Sequence, residues 1–254
     1  MLKTERDKEI LRQLLKDGEV MVEQLAARFE TSPATIRREL SDLEEAGLLR
    51  RIHGGAIQVE PMLYEPFRRL SSFADHEHIR AAEKRRIGLA AAEIIKDGEV
   101  VALSAGTTTT QVGRSIHDRK DVTIVTNAIN IAMELSHRVN LKIIMTGGTL
   151  NRSCFALTGP SGIESVNKMF YDQAFIGVDG IHPEHGLTSD RSELAAMSRA
   201  IIQQSRKTVV VADHSKFGKV GKTLIAPVEK ADLIITDKST QGNQAGVSVK
   251  MVWV

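Results

Sequence analysis

From Val100 onward the chain alternates short β-branched apolar runs with stretches of helix formers, and this alternation limits the possible folds more than any other feature. The strand-like runs are Val100 to Leu103, Val122 to Val125, Leu141 to Met145, Gln173 to Val178, Thr208 to Ala212 and Leu233 to Thr236. Between them, Asn130 to Ser136 and Ser192 to Gln204 are rich in helix formers, and ahead of them Arg86 to Ile95 carries Ile87, Ala91, Ile94 and Ile95 at helical spacing. Strands separated by helical crossovers run parallel, and the crossovers cover the sheet. The expected class is therefore α/β, a doubly wound, mostly parallel sheet with helices on both faces. In such a sheet, ligands bind outside the carboxyl ends of the strands.

The first part of the chain reads differently. Residues up to about Ala56 have the pattern of three short helices and a hairpin, and a chain of 254 residues is long enough for two domains. The expected division is residues 1–57, a linker over 58–83 that holds Pro61 and Pro66 and lacks a sustained period, and an α/β domain over 84–254. Hydrophobic residues at 42% and charged residues at 26% supply a real core and exclude a mainly disordered or fibrous chain. A formal net charge of +2 is too small to make the whole molecule a polyanion binder, so any nucleic-acid surface must be local. Cys154 is the single cysteine, which excludes an intrachain disulfide framework and favours a reducing compartment. The charged start MLKTERDKEI has no apolar h-region, and no run approaches the 18 or so apolar residues of a membrane span. A cytoplasmic protein with no membrane partner and no cofactor is expected.

In the first part, Ile10, Leu11, Leu14 and Leu15 line one face of a helix that ends near Gly18, and Val22, Leu25, Ala26 and Phe29 line a second. Thr31, Ser32 and Pro33 then give a hydroxyl N-cap followed by proline at the first helical position. This third helix runs to about Ala46, with Gly47 closing it, and its apolar stripe is Ile36, Leu40 and Leu43. At 3.6 residues per turn Arg38 and Ser41 face away from that stripe, while Thr35 and Arg37 flank it. Leu48 to Ile57 reads as two short strands around a glycine turn, a wing that carries Arg51 and His53. A helix presenting Arg and Ser/Thr after a tight turn suits the DNA major groove, where Arg pairs with guanine edges. The alternative is an ordinary three-helix unit with surface arginines, and acidic residues slightly outnumber basic ones over residues 1–60. Those acids include Glu5, Asp7, Glu9, Asp17, Glu19 and Glu23 on the first two elements, whereas Arg37, Arg38, Arg50 and Arg51 cluster on the third helix and wing.

In the second part, the run after Val100 to Leu103 is Ser104, Ala105 and Gly106, then Thr107 to Thr110 opening a helix. Free backbone N–H groups at a helix start, with hydroxyls and a small glycine beside them, form an anion cradle; a threonine-rich cap is the plainer reading. Thr126 and Asn127, Gly147 and Gly148, Asp179 and Gly180, and Asp213 to Lys216 follow other strands, so several polar loops converge on one crevice. Lys216 offers the cation a phosphorylated ligand needs, although a single turn lysine is as easily just solvated. His76, Glu77 and His78, and the basic run Arg80, Lys84, Arg85 and Arg86, read as solvated segments and not as sites.

The stretch TSPATIRRELSDLEEAGLLRRIHGGA strongly resembles the N-terminal signature of the DeoR family of bacterial transcription regulators, with Glu39 where the family usually has Asp. The resemblance implies that Ser32, Thr35, Arg37, Arg38, Arg51, His53 and Gly54 face double-stranded operator DNA. The order AGTTTT, TN, TGG, GVDG and DHSKF resembles the C-terminal half of the same family, a domain similar to ribose-5-phosphate and glucosamine-6-phosphate isomerases. It implies a phosphorylated sugar or related effector, with Gly106, Thr107, Thr108 and Lys216 at the phosphate and Asn127, Asp179 and Gly180 toward the sugar. Ser104, where many relatives carry Asp, is a further effector position. Catalysis of aldose–ketose isomerisation needs a general base, and a rough alignment places Ser198 at that position with Glu193 nearby. The sequence therefore favours a binding site over an enzyme. The expected function is repression of carbohydrate-metabolism genes by a homo-oligomer that the effector releases from its operator. The rivals are an isomerase with a regulatory appendage and a DNA-binding module whose second domain only dimerises.

Overall fold

The computed structural model describes residues 3–45, 48–57, 72–117, 119–238 and 246–254. The chain divides into two compact units, Met1–Met62 and Leu63–Val254. Among the described residues no helix is long and apolar enough to cross a membrane.

In the first unit, α1 (Lys3–Asp17) ends at Gly18, whose N–H donates to the Leu14 carbonyl (2.8 Å). Strand β1 (Glu19–Met21), α2 (Val22–Arg28), α3 (Pro33–Glu45), β2 (Arg50–Ile52) and β3 (Gly55–Ile57) follow, and the strands form an antiparallel sheet in the order β1-β3-β2. Ile10, Leu14, Leu25, Ile36, Leu40 and Leu49 are fully buried together, so the apolar stripes read from the sequence do meet in one core. Glu39 is buried on the same helix and takes a bidentate ion pair from Arg6, with Arg6 Nε 2.9 Å from Glu39 Oε2. That pair ties α1 to α3. Strand β1 was not anticipated, because three residues carry too little period to read.

Residues 58–71, with Pro61 and Pro66, and the helix end at Gly47 lie outside the described residues. The linker expected over 72–83 is corrected. Ser72–His78 is a helix, and a second helix, Ala81–Glu93, starts before the expected boundary at 84. The shorter one is held by distant parts of the chain. Phe73 packs edge-on against Phe155 with ring centroids 5.6 Å apart, and Glu77 pairs with Arg114 at 2.7 Å.

The second unit is built on a seven-stranded sheet in the order β15-β14-β12-β9-β4-β5-β6, every neighbouring pair parallel. Its strands are β4 (Val100–Leu103), β5 (Val122–Thr126), β6 (Leu141–Met145), β9 (Gln173–Ile176), β12 (Thr208–Val211), β14 (Leu233–Thr236) and β15 (Met251–Trp253). Alternate residues feed two cores. Ala102, Ala174, Ile176 and Val210 pack with Val166, Ala195 and Ile201 of the helices Pro160–Asn167 and Ser192–Gln203. Val101, Leu103, Phe175 and Val209 pack on the other face with Ile87, Val112 and Ile131 of the helices Ala81–Glu93, Thr107–Ser115 and Ile129–Leu135. Burial on both faces explains why β4, β5, β9, β12 and β14 read as continuous apolar runs, whereas the edge strand β15 was not read from the sequence.

The chain builds β4, β5 and β6 outward in one direction, then returns to place β9 on the other side of β4. The order therefore reverses between β4 and β9, which makes the gap beyond their carboxyl ends the topological switch point. Two smaller pieces were not read from the sequence, a hairpin of β7 (Thr149–Asn151) and β8 (Ala156–Thr158), and an antiparallel sheet of β10 (Gly180–His182), β11 (Gly186–Ser189) and β13 (Thr223–Ala226).

Candidate functional site

The first site is the exposed face of α3 and the wing. The Ser32 hydroxyl accepts the Thr35 N–H (3.1 Å), so Ser32 is the N-cap and Pro33 the first helical residue. Arg37 and Arg38 are exposed, opposite the buried Ile36, Leu40 and Leu43. Glu23 of α2 lies 3.4 Å from the Arg37 guanidinium. On the wing, the Arg51 N–H donates to Glu44 Oε1 (2.8 Å) and its guanidinium to Ser41 Oγ (2.7 Å), which locks β2 against α3. His53 and Gly54 form the exposed tip between β2 and β3. Gly54 has φ +81°, a left-handed conformation that disfavours a side chain, and its carbonyl accepts the Val22 N–H at 2.8 Å. Of the seven residues read as DNA-facing, Ser32, Arg37, Arg38, Arg51, His53 and Gly54 are exposed and Thr35 is half-buried, and Ser32 and Arg51 also hold the helix and wing in shape.

The second site is a cleft of about 120 Å³ beyond the ends of β4 and β9, at the switch point. Its floor is the start of the Thr107–Ser115 helix. No side chain caps that helix, so its first N–H groups have no intrahelical partner and face the cleft region. The four threonines divide their work. Thr107 and Thr108 line the cleft, whereas Thr109 and Thr110 turn their hydroxyls back to the Gly106 carbonyl (2.9 and 2.7 Å). Asp179 and Lys216 stand on another wall, with Lys216 Nζ 4.0 Å from Asp179 Oδ1. The other oxygen of Asp179 accepts from Ser189 Oγ and the Asp190 N–H, both at 2.9 Å, which fixes the carboxylate.

Five of the eight residues read as effector contacts, Gly106, Thr107, Thr108, Asp179 and Lys216, come together in the cleft. Ser104, Asn127 and Gly180 do not line it. Ser104 Oγ accepts the Gly177 N–H (3.0 Å) and so joins the loops after β4 and β9. Asn127 Oδ1 accepts the Ala105 N–H (2.9 Å) while its amide donates to the Leu157 carbonyl (3.0 Å). Gly180 lies under the Lys219 carbonyl, which a Cβ there would approach to 2.4 Å. The three shape the loops that carry the cleft.

Both parts of the chain match known sequence families. Residues 6–61 match the DeoR-like helix-turn-helix domain, and residues 79–238 match the DeoR C-terminal sensor domain. The chain belongs to the DeoR family. It is similar to the HTH-type transcriptional regulator GlpR of Haloferax volcanii, at 34% identity over 98% of each chain. It is 30% identical to the glycerol-3-phosphate regulon repressor of Escherichia coli K12, over 93% of this chain and 92% of that one. Among solved structures, ribose 5-phosphate isomerase A of Methanocaldococcus jannaschii aligns over 52% of both chains with 16% identity and a TM-score of 0.39.

In this DeoR-family chain the cleft also gathers residues that sequence reading passed over. Lys84, read as solvated, is only 5% exposed and lines the cleft together with Arg191. Burial pushes the Lys84 amine down to about 8, against the opposing pull of Asp213. A signal was available, because Lys84 lies three, four and seven residues before Ile87, Gly88 and Ala91, on the buried stripe of its helix. Asp213 sits behind the cleft with Arg80 Nε 3.7 Å from its Oδ1. Burial acts to raise its carboxyl, but the Ser215 hydroxyl and N–H, with Lys216 and Lys84, hold it below the usual range. Ser198 is buried and lines the cleft, whereas Glu193 is exposed and takes a hydrogen bond from Ser192 (3.2 Å).

One further cluster has metal-like composition. His182, Glu184 and His185 bring a ligand atom each within 4.8 Å of the others in the β10–β11 turn. The Nδ1 of His182 accepts the N–H groups of Glu184 and His185 (3.2 and 3.3 Å), which puts the ring proton on Nε2 and removes that nitrogen as a ligand. The cluster is explained as a turn.

Proposed function

We propose that this chain is a transcriptional repressor that binds operator DNA through α3 and its wing and is released by a small phosphorylated metabolite bound in the cleft. The reader comprises residues 1–57, and the sensor begins with the Ser72–His78 helix. The observation that carries the effector's chemistry is the uncapped start of the Thr107–Ser115 helix facing a cleft that Lys84 and Lys216 also line. Unpaired N–H groups, the positive end of a helix dipole and two ammonium groups favour a phosphate dianion over any neutral ligand. With Arg191, the lining cations exceed the single lining carboxylate, Asp179, by the charge of one phosphate. Asp179 is an acceptor for sugar or glycerol hydroxyls. With room for several water-sized groups, the cleft suits a small phosphorylated polyol or sugar. The names of relatives that control a glycerol-3-phosphate regulon support the same class of effector.

A catalytic reading finds less support. Proton transfer between adjacent carbons requires a base near the substrate, and the position aligned with that base is the hydroxyl of Ser198. Asp179 already accepts two hydrogen bonds on one oxygen, which suits it to hold a ligand. Thermal unfolding in the presence of phosphorylated three- to six-carbon metabolites tests the proposal. A true effector at a hundred times its Kd adds about 2.7 kcal/mol, a rise of roughly 5–10 °C in Tm for a unit of this size, and lowers operator affinity. Lys216→Ala should abolish most of that shift while DNA affinity without effector stays unchanged. An effector titration of Lys216→Ala that overlays the wild type, or steady turnover of a sugar phosphate, would refute it.

A further inference from the structure

The helix Ser72–His78 is too short to be stable alone, since an isolated helix of fewer than about 12 residues is marginal in water. Its fold depends on what holds it. Three anchors do so: Phe73 against Phe155, Glu77 against Arg114, and a hydrogen bond from the Lys84 ammonium to the His76 carbonyl. The third is unlike the others, because both of its partners, His76 and Lys84, line the cleft. Among the described residues no carboxylate forms an ion pair with Lys84, so its buried charge rests on a neutral carbonyl. Charged and titratable groups around it are Glu77 and Arg80 from the preceding helix and hinge, and Asp213 and Lys216 from the loop after β12. Between the two helices Arg80 adopts φ +55°, a left-handed conformation that is unfavourable for a non-glycine residue. Its guanidinium is directed at Asp213, beside Lys216. The hinge is strained and braced by the loop that carries the cleft's other lysine.

We propose that Lys84 is a two-partner switch: with the cleft empty it tethers the Ser72–His78 helix through the His76 carbonyl, and an anion in the cleft takes the ammonium away and loosens that helix. The proposal rests on the reading of the cleft as an anion site. Its direction follows from charge, because an ammonium is attracted more strongly to the full negative charge of an anion than to the partial charge of a neutral carbonyl. Loss of one anchor of three from a short helix shows as faster local opening. The helix follows the reader along the chain, so its release alters the segment through which the DNA-binding unit is tethered.

Hydrogen exchange of the full-length protein, with inorganic phosphate as the probe, tests both halves of the switch. In the wild type, saturating phosphate should speed exchange of amides 72–78 at least about tenfold, the loss of one hydrogen bond to a charged group, while the amides of β4 and β9 stay protected. Lys84→Met keeps the aliphatic stem and removes the donor. It should show the same fast exchange with no phosphate present, and phosphate should add nothing. If that variant does not fold, judged by the β4 and β9 amides, Lys84→Gln serves in its place. Protection of residues 72–78 at the wild-type level in the variant overturns the tether. Calorimetric binding of phosphate to the wild type without a change at 72–78 overturns the switch and leaves the effector site standing. Failure of phosphate to bind at all overturns the effector-site reading, and the switch with it.

Discussion

Ser32 shows how one side chain can serve two purposes that substitution separates. Its hydroxyl caps α3 by accepting the Thr35 N–H, so Ser32→Ala should destabilise the reader by about 1 kcal/mol whatever DNA does. Asp caps a helix as well as Ser does, but brings a negative charge to a surface expected to meet phosphates. Ser32→Asp should therefore keep the wild-type unfolding midpoint and lose DNA affinity in a gel-shift titration. Unchanged affinity would reduce Ser32 to a cap. Lys84 makes a second residue-scale prediction through its titration. The folded amine sits at about 8, below its ordinary 10.5, because burial penalises the charge more than Asp213 and Glu77 favour it. An anionic ligand prefers the charged amine and raises that value on binding. Effector affinity should accordingly be flat just below pH 8 and fall as pH rises through 8 and above. In Lys84→Met this decline should vanish. The same depressed value has a stability consequence: between about pH 8 and 10.5 the unfolded chain binds more protons than the folded one at this group, so its contribution to stability rises with pH across that window.

At the scale of elements, α1 and α3 are joined by an ion pair on the stripe side of α3, because Glu39 lies three residues after Ile36 and four before Leu43. Glu39 follows the polar Arg37 and Arg38, yet it is 3% exposed and grips Arg6. Removing one partner of a buried pair strands the other, at a cost of about 3–5 kcal/mol. Glu39→Ala should lower the unfolding free energy of the first unit by that amount, with the seven-stranded sheet unfolding as before. A change below about 1 kcal/mol would show that Arg6 simply turns to solvent. The elements legible in the sequence were those with enough length and contrast. Strands β4, β5, β9, β12 and β14 are buried on both faces and, like the edge strand β6, read as apolar runs, and α3 announced itself through its cap, proline and stripe. The illegible ones depend on distant partners. Nothing local to Phe73 or Glu77 marks Ser72–His78 as helix, because Phe155 and Arg114 hold it. The β10-β11-β13 sheet consists of strands of three and four residues, shorter than the window in which alternation can be recognised. In the cleft, residues on loops after long strands could be read, whereas Lys84 belongs to a helix that approaches from outside the sheet.

For the whole molecule, the proposed effector cleft and the DNA-binding domain belong to one chain, but one reader is not enough for an operator. A single recognition helix contacts only a few base pairs, and specificity over a genome comes from two readers on half-sites about 10 base pairs or a multiple apart. The sensor has surfaces suited to self-association. Among the described residues its sheet ends in two unpaired edges, β6 and β15, with Met145, Val252 and Trp253 exposed along them, and Phe170 is 77% exposed. Open edges with apolar side chains are normally paired or covered. The protein should therefore have a solution mass of at least twice its 27.9 kDa by light scattering. DNA selected by the wild type from a random pool should contain two copies of a short sequence, related by symmetry and spaced by helical turns. Arg38→Ala, with its exposed guanidinium removed, should leave the mass unchanged and weaken binding to that selected DNA by about 1–3 kcal/mol per half-site, so that two half-sites multiply the loss. A monomer that selects a single unrepeated sequence, or an Arg38→Ala variant that binds the selected DNA as tightly as the wild type, would contradict the two-reader arrangement and the outward role of α3 respectively.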